Sequence, residues 1–199
     1  MTAFIWTLIG FLLGSLPVSV WLGRLVLRID IRRYGDGNPG GTNVVRAGNR
    51  ELGLLAIILD MLKAAVPVSL AYYVFKVEGW PLVPVMLAPI LGHAFSPFLG
   101  FRGGKALACT FGAWTALTVP FGPFVMGGSV FMFYELLNTA GWAVMAALLT
   151  LLGFLMIAGV SLPLIVAWAG TVAILAWTHR ADLRQRPALR PRASAQSRR

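Results

Sequence analysis

Charge is what this chain has least of. Of its 199 residues only 12% are Asp, Glu, Lys or Arg, while 58% are hydrophobic and the mean hydropathy is +0.77. A soluble domain carries about 25% charged residues. The segments Ala3 to Leu22, Ala106 to Tyr134 and Leu136 to Thr178 contain no charge at all. Apolar runs of about 20 residues are long enough to cross a bilayer as helices. A soluble globular fold is therefore excluded, and the chain reads as an all-α, polytopic membrane protein. Cysteine is nearly absent: Cys109 stands alone, which rules out an intrachain disulfide. No Lys or Arg precedes the first apolar run, "MTAFIWTLIGFLLG", and no small-residue cleavage site is clear. That argues for a retained first helix over Ala3 to about Leu22 rather than a signal peptide.

Several catalytic signatures are also missing. There is no HExxH or Cys–His cluster to hold zinc and no GxSxG elbow for a serine hydrolase. Leu99 and Ala106 stand where a Walker A loop needs Gly and Ser or Thr, which excludes an NTPase of that type. No internal repeat is evident, against the habit of secondary transporters. No metal or cofactor is expected.

What charge there is has a sign and a place. The net charge is +10, and all the basic residues but Lys63 and Lys76 fall at Arg24–Arg50, Arg102–Lys105 and Arg180–Arg199. Lys and Arg in short loops mark the cytoplasmic side. Placing all three clusters inside requires an even number of crossings between them. Helices at about 52–75 and 80–98 fill the first gap, with "KVEGWP" outside. Four short helices fill the second, broken at "VPFGP" (119–123), "ELLNTAGW" (135–142) and "AGVSLP" (158–163), with Pro and Gly marking the outer two breaks. The sum is about seven transmembrane helices, N-terminus outside and C-terminus cytoplasmic. Residues 1–183 form one membrane domain. Residues 184–199 read as a basic, disordered tail that meets anionic lipid rather than nucleic acid.

This topology gathers the unusual polar segments on the cytoplasmic face. "GDGNPGGTN" (35–43) combines glycines, which allow close backbone approach and anion-binding nests, with Asn38, Thr42, Asn43 and the fixed charge of Arg46. "GFRGGKALA" (100–108) sets Arg102, Gly103, Gly104 and Lys105 just before an apolar helix expected to begin at Ala106. A helix N-terminus with adjacent cations favours phosphate. Asp60 and Lys63 share a face of an apolar helix and can pair, as a structural ion pair or a functional one. His93 and His179 end segments that face the same side. Together these residues predict an interfacial site for a ligand with one anionic and one greasy end.

In order and spacing over residues 14 to 183 these motifs resemble the acyl-phosphate:glycerol-3-phosphate acyltransferases, the PlsY family of bacterial inner-membrane enzymes. The matches are Gly35-Asp36-Gly37-Asn38-Pro39-Gly40-Gly41-Thr42-Asn43 with Arg46, then Asp60 and Lys63, then Gly92-His93-Ala94-Phe95. They continue with Gly100-Phe101-Arg102-Gly103-Gly104-Lys105 and His179-Arg180-Ala181-Asp182. The resemblance implies transfer of an acyl group from acyl phosphate to glycerol 3-phosphate, giving lysophosphatidic acid for phospholipid synthesis in the plasma membrane, with the site facing the cytoplasm. It implies Arg46 and Lys105 as catalytic phosphate ligands and His179 as base or orienter of the hydroxyl. Asn38, Thr42, Asn43, His93, Arg102 and the Gly103–Gly104 amides would assist binding. The chain departs from the family pattern at Asp36, where the family has Ser, and at Asp182, where it has Asn. Ala106 and Cys109 replace Gly and Thr, and "NTAGW" replaces a Ser-rich segment. Both carboxylates fall where phosphate oxygens are expected. They keep open an alternative: a non-catalytic or acceptor-switched relative of the same fold that binds lipid or a phosphate compound. A transporter of an anionic solute fits less well, because polarity is confined to one side.

Overall fold

The computed structural model describes residues 1–190. Among them the only β-pairing is a single antiparallel bridge, Leu137 with Leu189; the rest is helix and connection. The helices are α1 Thr2–Ser15, α2 Val18–Val26, α3 Gly41–Arg46, α4 Arg50–Ser69, α5 Leu82–Ala94, α6 Leu107–Thr118, α7 Phe121–Leu136, α8 Ala140–Ile157, α9 Leu162–Thr178 and α10 Arg180–Leu183. A π-helical turn, Leu70–Val74, extends α4 beyond Pro67. Four stretches are long and apolar enough to cross a membrane unaided: Thr2–Val26, Arg50–Val74, Leu82–Leu99 and Ala140–Ile157.

The first expected helix is not continuous. Pro17 has no N–H to donate and holds Leu16 in an extended conformation, so the helix breaks between α1 and α2. The break frees carbonyls that other elements satisfy. Lys63 Nζ of α4 donates to Leu16 O at 2.7 Å, and Ser96 Oγ donates to Ser15 O at 2.6 Å. The other breaks fall where Pro and Gly foretold, but they are tighter. Only Val119–Pro120, Leu137–Thr139 and Ala158–Ser161 are left between helices. Pro123 and Pro163 sit in the first turns of α7 and α9, where a missing N–H costs little.

The helices pack through small residues, as membrane helices do when there is no water to drive them together. Gly14 of α1 lies on the Pro89 backbone of α5, and Gly92 of α5 lies on the Phe11 carbonyl of α1. Gly112 of α6 lies on the Met61 carbonyl of α4. The buried interior is filled by Trp114, Met86, Ile90, Leu148, Leu151, Leu155 and Leu175, while Phe4, Phe124, Phe131, Leu149 and Ile157 face outward. A Cβ at Gly112 would overlap the Met61 backbone. Gly112→Ala must therefore push α6 off α4, and it should cost about 1–3 kcal/mol. Thermal unfolding in detergent checks this, and an unchanged midpoint would contradict the packing.

The chain beyond α10 turns back over the α7–α8 connection. Asn138 N donates to Ala188 O at 2.9 Å, Arg190 N to Leu136 O at 2.8 Å, and Trp142 Nε1 to Gln185 O at 2.8 Å. Gln185, Ala188 and Arg190 thus have hydrogen-bond partners, in a stretch of the 184–199 tail expected to be disordered. The remainder of that expectation, residues 191–199, lies outside the described residues.

Candidate active site

The polar segments expected on one face do meet, at the mouth of a cavity of about 430 Å³. The first loop is anchored at its start by Asp30. Its carboxylate caps the short 3-10 turn Ile31–Arg33 and pairs with Arg32 at 2.6 Å and Arg24 at 3.1 Å. The Arg32 guanidinium holds the Asp30 carboxyl well below the usual carboxylate range, against burial. The chain then turns through Gly35 (φ +57°) and Gly37 (φ +73°). A side chain at Gly35 would be strained, and it would also collide with Asn43 and Arg46.

Asn38 and Asn43 build the loop, and Asn38 also lines the cavity. Asn43 Nδ2 donates to Asn38 O at 2.8 Å and to Asp36 Oδ1 at 3.1 Å, while Asn43 Oδ1 accepts from Arg46 Nη1 at 3.1 Å. Asn38 Oδ1 accepts from Lys105 N at 2.9 Å, which ties the first loop to the second. Thr42 and Arg46 line the cavity directly.

The second loop corrects part of the sequence reading. Gly103 N donates to Ala94 O at 3.1 Å and Gly104 N to His93 O at 3.0 Å. These amides are spent on folding the loop back against α5, so they have no hydrogen left for a phosphate. The glycines are needed for close approach, because a Cβ at Gly104 would run into the His93 ring. Arg102 is exposed and does not line the cavity, and among the described residues its side chain makes no hydrogen bond or ion pair. Ala106 takes φ +61° and α6 begins at Leu107, one residue later than expected. The first turn of α6, Leu107 and Ala108, lines the cavity beside Lys105. That turn keeps the free N–H groups of a helix start.

Lys105 is the hub. Its Nζ lies 3.0 Å from Asp36 Oδ2 and 3.0 Å from Asp182 Oδ2. Arg46 Nη1 lies 3.4 Å from Asp36 Oδ1. The two carboxylates that depart from the family pattern are thus both neutralised by the cations they would otherwise hinder. Burial works against the charged form of Lys105, but its bonds to Asp36 and Asp182 outweigh it and raise the ammonium pKa. Burial likewise works to raise Asp36, and Lys105 overrides it, leaving the carboxyl below its usual value.

His179 ends α9 and is almost wholly buried at the cavity wall. Its Nδ1 lies 2.9 Å from Leu175 O, a group that can only accept, so Nδ1 carries the hydrogen and Nε2 is left as the basic nitrogen. Thr178 Oγ1 lies 3.2 Å from the same Nδ1 and donates to Lys105 O at 3.1 Å, coupling the two candidate residues. Burial pushes the imidazole pKa down, which keeps it neutral near pH 7. Gly141 of α8 packs against both His179 and Asp182.

His93 lines the cavity at its inner side, 3.8 Å from Asp60 Oδ1. Asp60 pairs with Lys63 at 2.7 Å, accepts from Ser19 Oγ at 2.8 Å, and its carbonyl accepts from Cys109 Sγ at 3.1 Å. The pair therefore fastens α4 to the α1–α2 break and to α6. The sequence offered no sign of the cavity's apolar arm, built from Ile57, Met61, Leu107, Phe111 and Val130 with Tyr134 at its side. In the sequence those residues look like any others facing core or lipid.

The chain is an all-helical membrane protein whose cavity joins a cluster of paired charges around Lys105 to an apolar lining. The family model "Glycerol-3-phosphate acyltransferase" matches residues 4–187, and the chain belongs to that family. A curated glycerol-3-phosphate acyltransferase of Maridesulfovibrio salexigens is 32% identical over 184 residues, 90% of this chain and 91% of that one. One from Anaeromyxobacter dehalogenans is 45% identical over 112 residues, 54% of this chain, so the match spans 55% of the relative's length. The crystal structure of PlsY (YgiH), an integral membrane glycerol 3-phosphate acyltransferase, matches in its glycerol 3-phosphate form with a TM-score of 0.84 and 29% identity. That match covers 92% of this chain and 91% of that one. The lysophosphatidic acid form of the same protein matches with a TM-score of 0.81 and 27% identity.

Proposed function

We propose that this protein transfers an acyl group from acyl phosphate to the 1-hydroxyl of glycerol 3-phosphate, releasing lysophosphatidic acid and inorganic phosphate at the cytoplasmic face of a bacterial plasma membrane. The observation that carries the reading is one cavity in which Arg46, Lys105 and a basic His179 nitrogen meet an apolar arm. An acyl chain suits the arm, and a phosphate suits the cations and the free amides of α6.

The donor is already activated, so no covalent acyl-enzyme is required. The glycerol hydroxyl oxygen attacks the acyl carbon as His179 Nε2 takes its proton. The bond from the acyl carbon to the phosphate oxygen breaks, and the leaving phosphate receives the proton. Lys105 and Arg46 oppose the charge that grows on that phosphate, and holding both substrates in one cavity supplies the rest. The bilayer is both the source of the acyl donor and the sink for the product. Seven crossings with the N-terminus outside would put the loops at 35–46 and 100–105 on the cytoplasmic side, where glycerol 3-phosphate is found.

The test uses purified protein in detergent with palmitoyl phosphate and glycerol 3-phosphate. Lysophosphatidic acid and inorganic phosphate should appear in equal amounts. In the same assay His179→Ala should lower kcat by about 10²–10⁴-fold with little change in KM. Well-folded protein that yields neither product would sink the acyltransferase. The second reading, a relative with a changed acceptor, draws on Asp36 and Asp182. It would then be pursued with other hydroxyl acceptors, following phosphate release.

A further inference from the structure

The four charged side chains gathered around Lys105 cancel: Asp36, Arg46 and Lys105 line the cavity, and Asp182 meets Lys105 beside it. Arg46 and Lys105 are each bonded to a carboxylate, and Asp36 and Asp182 close on Lys105 from the first loop and from α10. An ammonium has three donors. Here two of them are taken, so any ligand oxygen that joins Lys105 enters beside two carboxylates. An ionised carboxylate only accepts hydrogen bonds. A fully ionised ligand oxygen offers it repulsion and nothing else, whereas an O–H on the ligand offers it a donor. The other ionisable groups on the cavity wall are His179, Tyr134, His93 and Asp60. None of them is a permanent cation that could offset a second negative charge.

We propose that Asp36 and Asp182 are specificity residues that make this anion site select a phosphate carrying a proton, with one or both carboxylates accepting a hydrogen bond from the phosphate O–H. Lys105 keeps Asp36 ionised, as an acceptor must be. A phosphate monoester has its second pKa at about 6, so its protonated form is within reach at neutral pH. Sulfate has the same shape and no proton to give. The carboxylates therefore act as a filter: the cations attract either anion, and the carboxylates admit the one that donates. The inference uses the acyl-transfer reading only in taking phosphate as the ligand.

The probes are inorganic phosphate and sulfate at pH 6.5, as inhibitors of acyl transfer and in calorimetric titrations of the purified protein. Phosphate should bind at least about tenfold more tightly than sulfate, since a site built around a hydrogen bond rejects the analogue that lacks the donor. In Asp36→Ser/Asp182→Asn the preference should fall to about threefold or less, mainly through tighter sulfate binding. Competition against glycerol 3-phosphate or against acyl phosphate tells which substrate's phosphate uses the filter. Equal binding of the two anions by the unaltered protein overturns the proposal, and so does a preference that survives in the double variant. Should that variant not fold, the unaltered protein and the single changes decide. Calorimetry needs no turnover. An inactive protein that takes phosphate and refuses sulfate defeats the acyltransferase and leaves the filter standing. An active one that takes both defeats the filter alone.

Discussion

Lys105→Ala should reduce kcat/KM for acyl transfer by about 10³-fold or more. Removing one donor from a transition-state cradle typically costs about 10²–10³-fold. Here the loss is compounded, because Asp36 and Asp182 both lean on the same ammonium. Without it, two carboxylates face the incoming phosphate and Arg46 is the one cation left on the cavity wall. Lys105→Arg should recover little. A planar guanidinium cannot reproduce a point charge bonded from two sides. Adding Asp36→Ser and Asp182→Asn to Lys105→Ala should recover part of the loss by removing the repulsion, and ordinary mutagenesis of an independent ligand would give no such rescue. Steady-state kinetics on protein that elutes as the unaltered form does will read this. Activity within tenfold of the unaltered protein would remove Lys105 from the mechanism.

The largest effect on stability is expected at Lys63. Lys63→Met leaves the Asp60 carboxyl almost wholly buried and without its 2.7 Å partner, and it also removes one of the two donors to Leu16 O at the α1–α2 break. Breaking a buried pair by removing one partner costs about 3–5 kcal/mol. In a chain of this size that corresponds to a midpoint lower by roughly 10 °C. The double change Asp60→Asn/Lys63→Met removes both charges and should sit clearly above the single variant, since replacing a buried pair by neutral groups is often nearly neutral. Tryptophan fluorescence during heating in detergent reports on both. Equal midpoints for Lys63→Met and the unaltered protein would mean that the pair contributes nothing.

Much of this was legible because the bilayer writes in composition. Long uncharged runs can only be helices there, and Pro and Gly mark where they stop. The meeting of the first loop, Lys105 and the end of α9 followed from charge placement alone. What escaped was conformational or lay between segments. Pro17 is a proline in an apolar run, and nothing in the run says whether the helix bends or breaks. Gly103 and Gly104 looked like phosphate-binding amides. Whether an N–H faces a ligand or a carbonyl of α5 depends on a turn that begins at Gly100 and Phe101 with positive φ. Arg102 has the charge and the neighbours of a phosphate ligand, but its side chain is exposed and away from the cavity. Asp36 and Asp182 are far apart in sequence, so each looked like a defect, and only their shared bond to Lys105 makes them a unit.

That shared bond also has a schedule. The first loop and Lys105 are synthesised early, while Asp182 follows roughly 77 residues later, about 4–15 s at ordinary elongation rates of about 5–20 residues per second. Throughout that interval Asp182, His179 and Thr178, which meet Lys105 in the finished fold, have not yet been made. Synthesis thus supplies Arg46 and Lys105 first and the groups that close on them last, so the cluster around Lys105 is complete only once α9 and α10 have been made.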